Sequence, residues 1–98
     1  GEQRTNEVNW EDFYVSINIL YDGFAEKLQV AYSGVLNERE MQLCCLLKVD
    51  MDTTEIACIM KQQINTVRTR KTSIRKKLKA PDAADIITFI EEKLNNEG

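Results

Sequence analysis

The chain spells the same helix-opening signature twice, as Asn37-Glu-Arg-Glu40 and as Asp52-Thr-Thr-Glu55. In each, a residue able to cap a helix stands three positions before a glutamate. The cap can accept the glutamate's backbone N–H while the glutamate carboxylate accepts the cap's. Two helix starts this close leave room between them for one short helix and a tight connection. Little elsewhere could interrupt a helix, because 98 residues contain one proline and four glycines, two of which are the terminal residues. The chain is therefore expected to be all-α, a single domain whose modest core needs neither a metal nor a disulfide framework.

Residues 1–8 are polar and are expected to be loose. Asn9 is placed to cap one long N-terminal helix over 9–33. Its apolar residues, Trp10, Phe13, Ile17, Leu20, Tyr21, Phe24, Leu28 and Ala31, recur at steps of three and four. That stripe holds most of the aromatics, so it is expected to pack as a linker helix on the domain formed by 34–98. Ser33 and Gly34 end it. The helix opened by Asn37 carries Met41, Cys44, Cys45, Leu46 and Leu47 and ends near Val49. Asp50 then falls where a left-handed conformation is expected. The helix opened by Asp52 is short, with Ile56, Ala57, Ile59 and Met60 as its apolar residues, and the small Ala57 permits a close crossing. After Lys61-Gln62-Gln63, a longer helix runs from near Asn65 to Leu78 with Val67, Ile74 and Leu78 at helical spacing. Pro81-Asp82 closes it. Asp82 with Asp85 opens a last helix bearing Ile86, Ile87, Phe89, Ile90 and Leu94.

The net charge of −3 conceals a segregation. From Lys61 to Ala80 the chain carries Lys61, Arg68, Arg70, Lys71, Arg75, Lys76, Lys77 and Lys79 and no acid, while all 16 carboxylates lie elsewhere. A basic stripe on an acidic body suits a polyanion bound in one orientation. Catalysis has little to work with. There is no histidine, no glycine-rich phosphate loop and no cluster of metal ligands, and Asp50 and Asp52 are accounted for as turn and cap. Neither a metal nor another cofactor is expected. Cys44, Cys45 and Cys58 match no zinc spacing and are expected to be small core residues in a reducing compartment. No stretch approaches a membrane span and nothing resembles a secretory signal, so a cytoplasmic location is expected. The chain begins with Gly1 and not Met. A larger natural protein with upstream sensing parts is therefore expected, and whether that protein carries a membrane anchor stays open.

A short helix, a tight turn and a longer basic helix make a helix-turn-helix pattern, in which the first helix braces the second so that it can enter a major groove. Leu36, Glu38, Glu40 and Leu47, then Glu55-Ile-Ala57, Thr66-Val67, Ile74 and Lys77-Leu78, resemble the LuxR-type effector domain of bacterial response regulators. Leu43-Cys44 and the ending Ile74-Arg-Lys-Lys-Leu78 resemble versions common in Bacteroides-type bacteria. The resemblance implies a bundle of four helices after the N-terminal one, acting in the cytoplasm at the nucleoid as the DNA-binding end of a transcription regulator. It implies Arg68, Thr69 and Thr72 on base edges. Thr66, Arg70, Lys71, Arg75 and Lys76 would take backbone phosphates. It also implies RNA polymerase as a further partner and a homodimer seam on the last helix through Ile86, Phe89 and Ile90. The plainer alternative is that this helix only closes the core. Three departures concern the turn. Lys61 replaces a Gly or Asn, Gln62 replaces an apolar plug, and Gln63 replaces the Ser or Thr that caps the recognition helix. Ile64 is the residue placed to fill the core in the plug's stead.

Two other readings stand beside this one. A promoter-binding domain like sigma-factor region four shares the bracing and recognition helices, but the helix after Pro81 argues against it. A helical protein-interaction module that has lost DNA binding is suggested by the altered turn and by the aromatic N-terminal helix.

Overall fold

The computed structural model describes residues 8–97, so the segment 1–8 expected to be loose lies outside the described residues except for Val8. Among the described residues there are six α-helices and no strand: α1 (Trp10–Leu20), α2 (Phe24–Tyr32), α3 (Glu38–Lys48), α4 (Thr53–Met60), α5 (Ile64–Leu78) and α6 (Ile86–Glu97).

The expected single N-terminal helix is two. Asn9 caps α1 as anticipated, its side chain accepting the Asp12 N–H at 3.1 Å. The helix then stops at Leu20, because Asp22 (φ 56°) and Gly23 (φ 77°) take left-handed conformations and start α2 in a new direction. Gly23 has no Cβ to strain there, and Asp is among the residues that tolerate it best. A continuous rod would have carried Leu20 and Tyr21 into the core; the break leaves both exposed, while Ile17, Phe24 and Leu28 of the same stripe are buried together with Ala25.

Both capping boxes form with both of their bonds, at Asn37/Glu40 and at Asp52/Glu55. Between them α3 is buried without interruption from Glu40 to Leu46, which makes it the central rod of the bundle. Small residues at Cys44 and Cys45 let neighbouring helices approach it, and burial pushes both thiols up, that of Cys45 to about 12 with help from the Glu38 carboxylate. Cys58 departs from expectation. It is exposed on α4, whose buried stripe is Ile56, Ala57 and Met60. Asp50 is left-handed (φ 66°), as its place after α3 requires.

The N-terminal pair packs on the body through α3 and α6. Tyr14 donates to Glu38 Oε2 at 2.8 Å, fastening α1 to the start of α3. On the other side α4 packs on α5, and α6 closes the core against α2, α3 and α5. The last helix begins at Ile86 and not at Asp82. Asp85 is the effective cap, its carboxylate accepting both the backbone N–H and the hydroxyl of Thr88 at 3.0 Å. Pro81 instead forms a turn in which its carbonyl accepts the Ala84 N–H.

This phase of α6 takes two of the three residues expected at a dimer seam into the core. Ile86 and Ile90 are 2% and 0% exposed, so both are consumed by the protein's own core and Phe89 is only half-buried. Inward packing wins because α6 must cover the apolar sides of α2, α3 and α5.

Candidate nucleic-acid interface

The candidate surface is one side of α5. Val67, Ile74 and Leu78 are buried and fix the helix's rotation. Asn65, Arg68, Thr69, Thr72 and Lys76, which recur at steps of three and four, therefore point to solvent, and each is exposed. Thr66 is exposed beside them. The N-terminal pair is seated on α3 and α6 and does not cover this side.

The turn that aims α5 is built from Lys61, Gln62 and Gln63. Lys61 closes α4 in a left-handed conformation (φ 58°), its N–H reaching the carbonyls of Ala57 and Cys58. The Gln62 N–H then returns to Ala57 O at 2.9 Å. Those are the bonds of a Schellman ending, in which the second residue past the helix leans on the core. Gln62 takes that place, half-buried, with its Oε1 buried and without a hydrogen-bond partner. Ile64 does not replace it. Helix α5 opens at Ile64, one residue earlier than expected, and that side chain is 39% exposed. Gln63 stands at the cap without a side-chain hydrogen bond, so a Ser or Thr there would add about 1 kcal/mol. The far end of α5 repeats the device: Lys79 is left-handed (φ 61°) and Ala80 N–H reaches Arg75 O at 2.9 Å. A lysine at each ending places positive charge against the helix's negative pole.

The flanks of α5 differ. On one, Arg75 is half-buried and its Nε–H donates to the Ala84 carbonyl at 2.9 Å, tying the helix to the turn before α6. Lys71, also half-buried, lies close enough to Asp85 to act on it. The Asp85 carboxyl is held below the usual carboxylate range, first by its Thr88 hydrogen bonds and then by Lys71 and Arg75. These two cations thus share their charge with the protein, whereas Arg68 and Lys76 are exposed. On the other flank, Asn65, Thr66, Thr69, Arg70 and Ser73 line an open notch together with Glu40. Arg70 is half-buried, as expected of a side chain lying partly against the body, and its Nε is buried without a partner. A buried donor left unsatisfied costs about 1–3 kcal/mol.

Sequence reasoning missed Ser73, and it missed the ion pair that seats the helix. Glu40 is 2% exposed, and its Oε1 accepts both the Asn37 N–H and the Lys77 ammonium at 2.8 Å. Lys77 is therefore a fastening of α5 to α3 and not one more cation for a ligand. The spacing of Thr66, Thr69, Arg70 and Ser73 was the signal for the notch. The Glu40–Lys77 pair has no such local signal.

Among the described residues no group of three or more His, Cys, Asp or Glu could hold a metal ion, and no helix is long and apolar enough to cross a membrane. No family model, curated protein or solved structure matches the chain.

Proposed function

We propose that the chain binds duplex DNA in a sequence-specific manner, with α5 in the major groove, as the DNA-binding end of a bacterial transcription regulator of LuxR type. The observation that carries this reading is the outward side of α5. It is basic, exposed and free of carboxylates, and it is held rigid by α4, by the Lys77–Glu40 pair and by the Arg75 bond to the α6 turn. Arg68 suits guanine O6 and N7, because its planar fork can bond both. Thr72 gives its hydroxyl to the Arg68 carbonyl at 3.2 Å, which leaves its methyl for a thymine methyl. Lys76, with what remains of Lys71 and Arg75, takes phosphates. A homodimer would need a seam other than Ile86 and Ile90. RNA polymerase contact belongs to the same proposal.

Selection of bound duplexes from a random library at two salt concentrations tests it. The expected outcome is a defined consensus that Arg68→Ala changes, and an affinity that falls steeply with salt. Absence of binding even at low ionic strength would leave the second reading, a helical interaction module. That reading draws on the exposed apolar residues of the N-terminal pair, Ile19 at 76% and Val30 at 78% exposure.

A further inference from the structure

The hydroxyl groups of α5 fall into two chemically different sets. Thr72 is satisfied by its own helix. Among the described residues, the hydroxyls of Thr66, Thr69 and Ser73 have no hydrogen-bond partner within the protein. These three share one flank of the helix with Arg70, whose buried Nε–H is equally without a partner. With Asn65 and Glu40 they enclose an open notch of about 400 Å³. Glu40 does not make it an acidic site, because its carboxylate is already held by the Lys77 ammonium and the Asn37 N–H. What remains is a surplus of donors around a small concave space: three hydroxyls and a guanidinium. The ligand that answers several converging donors with acceptors on every side is a tetrahedral oxyanion, and a guanidinium pairs with its oxygens especially well.

We propose that this notch seats a single phosphodiester of the DNA backbone, and that Thr69 is consequently a positioning contact rather than a reader of bases. The inference rests on the DNA-binding reading above and deepens it. A phosphate held here would lock the rotation of α5 about its axis, with Arg68 and Thr72 left as the base-facing pair. Phosphate contacts of this kind fix register and carry no sequence information. Arg70 supplies the charge, and the hydroxyls supply direction.

The test compares wild type with Thr69→Val, which is isosteric, and Ser73→Ala on the selected duplex and on duplexes with single-base changes. Both variants are expected to weaken every duplex by a similar factor, up to about tenfold, with an unchanged consensus and an unchanged salt slope. Arg70→Gln is expected to lower the salt slope by about one as well. Replacing one particular backbone phosphate by a neutral methylphosphonate should then erase the difference between wild type and Thr69→Val, while the same replacement elsewhere should not. Thermal unfolding serves as the control, since an exposed Thr69 contributes little to stability. A consensus altered by Thr69→Val at one base pair, with no phosphate that erases its effect, would overturn the inference while leaving DNA binding intact. A wild type that binds no duplex at low salt would instead overturn the DNA-binding reading and the inference with it. The Arg70 Nε–H resonance separates the sources of phosphate. It should move on adding duplex, and saturation by inorganic phosphate with no response to duplex would make the notch a free-anion site and refute its assignment to the backbone.

Discussion

Two helix pairs, each joined by a three-residue connection, face opposite tasks in this molecule: α1–α2 through residues 21–23 and α4–α5 through 61–63. Both connections turn on left-handed residues, Asp22 and Gly23 in one and Lys61 in the other. Both pairs bury one apolar stripe, Ile17 with Phe24 and Leu28 in the first, Ile56 with Val67 and Ile74 in the second. They differ on the outside. The second pair presents Arg68, Thr69, Thr72 and Lys76, whereas the first presents Val15, Ile19, Leu20 and Val30. Neither outer side is needed to close the core, so what each carries reports on contacts beyond folding. On α4–α5 that surplus is cationic and hydroxylic, which suits a hydrated polyanion. On α1–α2 it is apolar, which does not.

The comparison breaks first at the level of stability. Ile74→Ala, at a fully buried position, is expected to cost about 2–5 kcal/mol in urea unfolding, and Ile19→Ala to change stability by less than about 0.5 kcal/mol. An Ile19 variant as damaging as the Ile74 variant would mean that the outer side of the first pair is covered in solution. Next come two adjacent lysines of α5. Lys77→Met leaves the buried Glu40 carboxylate without its ammonium and is expected to cost about 1–3 kcal/mol, toward the lower end because the lysine is partly exposed. Lys76→Met should leave stability nearly unchanged and lower the salt slope of DNA binding by about one. Equal effects of the two on either measurement would remove the distinction between fastening and contact.

A smaller effect is pH-dependent. The Asp85 carboxyl is held below its ordinary value of 3.8, so its ionised form stabilises the fold. That contribution is complete above the ordinary value and is lost as pH falls through the lowered one. The stability gap between wild type and Asp85→Asn should therefore be constant at neutral pH and close in acid, as followed by thermal unfolding across pH. The smallest expected change is a gain. Lys61→Gly relieves a left-handed lysine at the α4–α5 turn but removes its charge from the negative pole of α4, so the net gain should stay below about 0.5 kcal/mol.

The α3–α5 region was legible because its signals are local. A capping box lies within four residues, and three apolar residues (Val67, Ile74 and Leu78) set the phase of α5 and with it the outward set. The left-handed Asp50 was legible for the same reason. The N-terminal break was present in the sequence as Asp22-Gly23, a turn signal, but Tyr21 and Phe24 continue the three-and-four spacing across it and masked it. Periodicity also could not say whether Ile86 and Ile90 face the core or a partner, since both need the same apolar stripe. Glu40's place in the notch, the Lys77–Glu40 pair and the Arg75 bond to Ala84 depend on which helices meet, and no spacing rule reaches that far.

The central claim is that the outward side of α5 is where duplex DNA lands. Mapping backbone amide perturbations by NMR while adding duplex at low ionic strength tests it most directly. The account predicts changes concentrated at Asn65, Arg68, Thr69, Thr72 and Lys76, fading as salt is raised, with the α1–α2 pair undisturbed. Perturbations centred on α1–α2, or none anywhere at low salt, would contradict it.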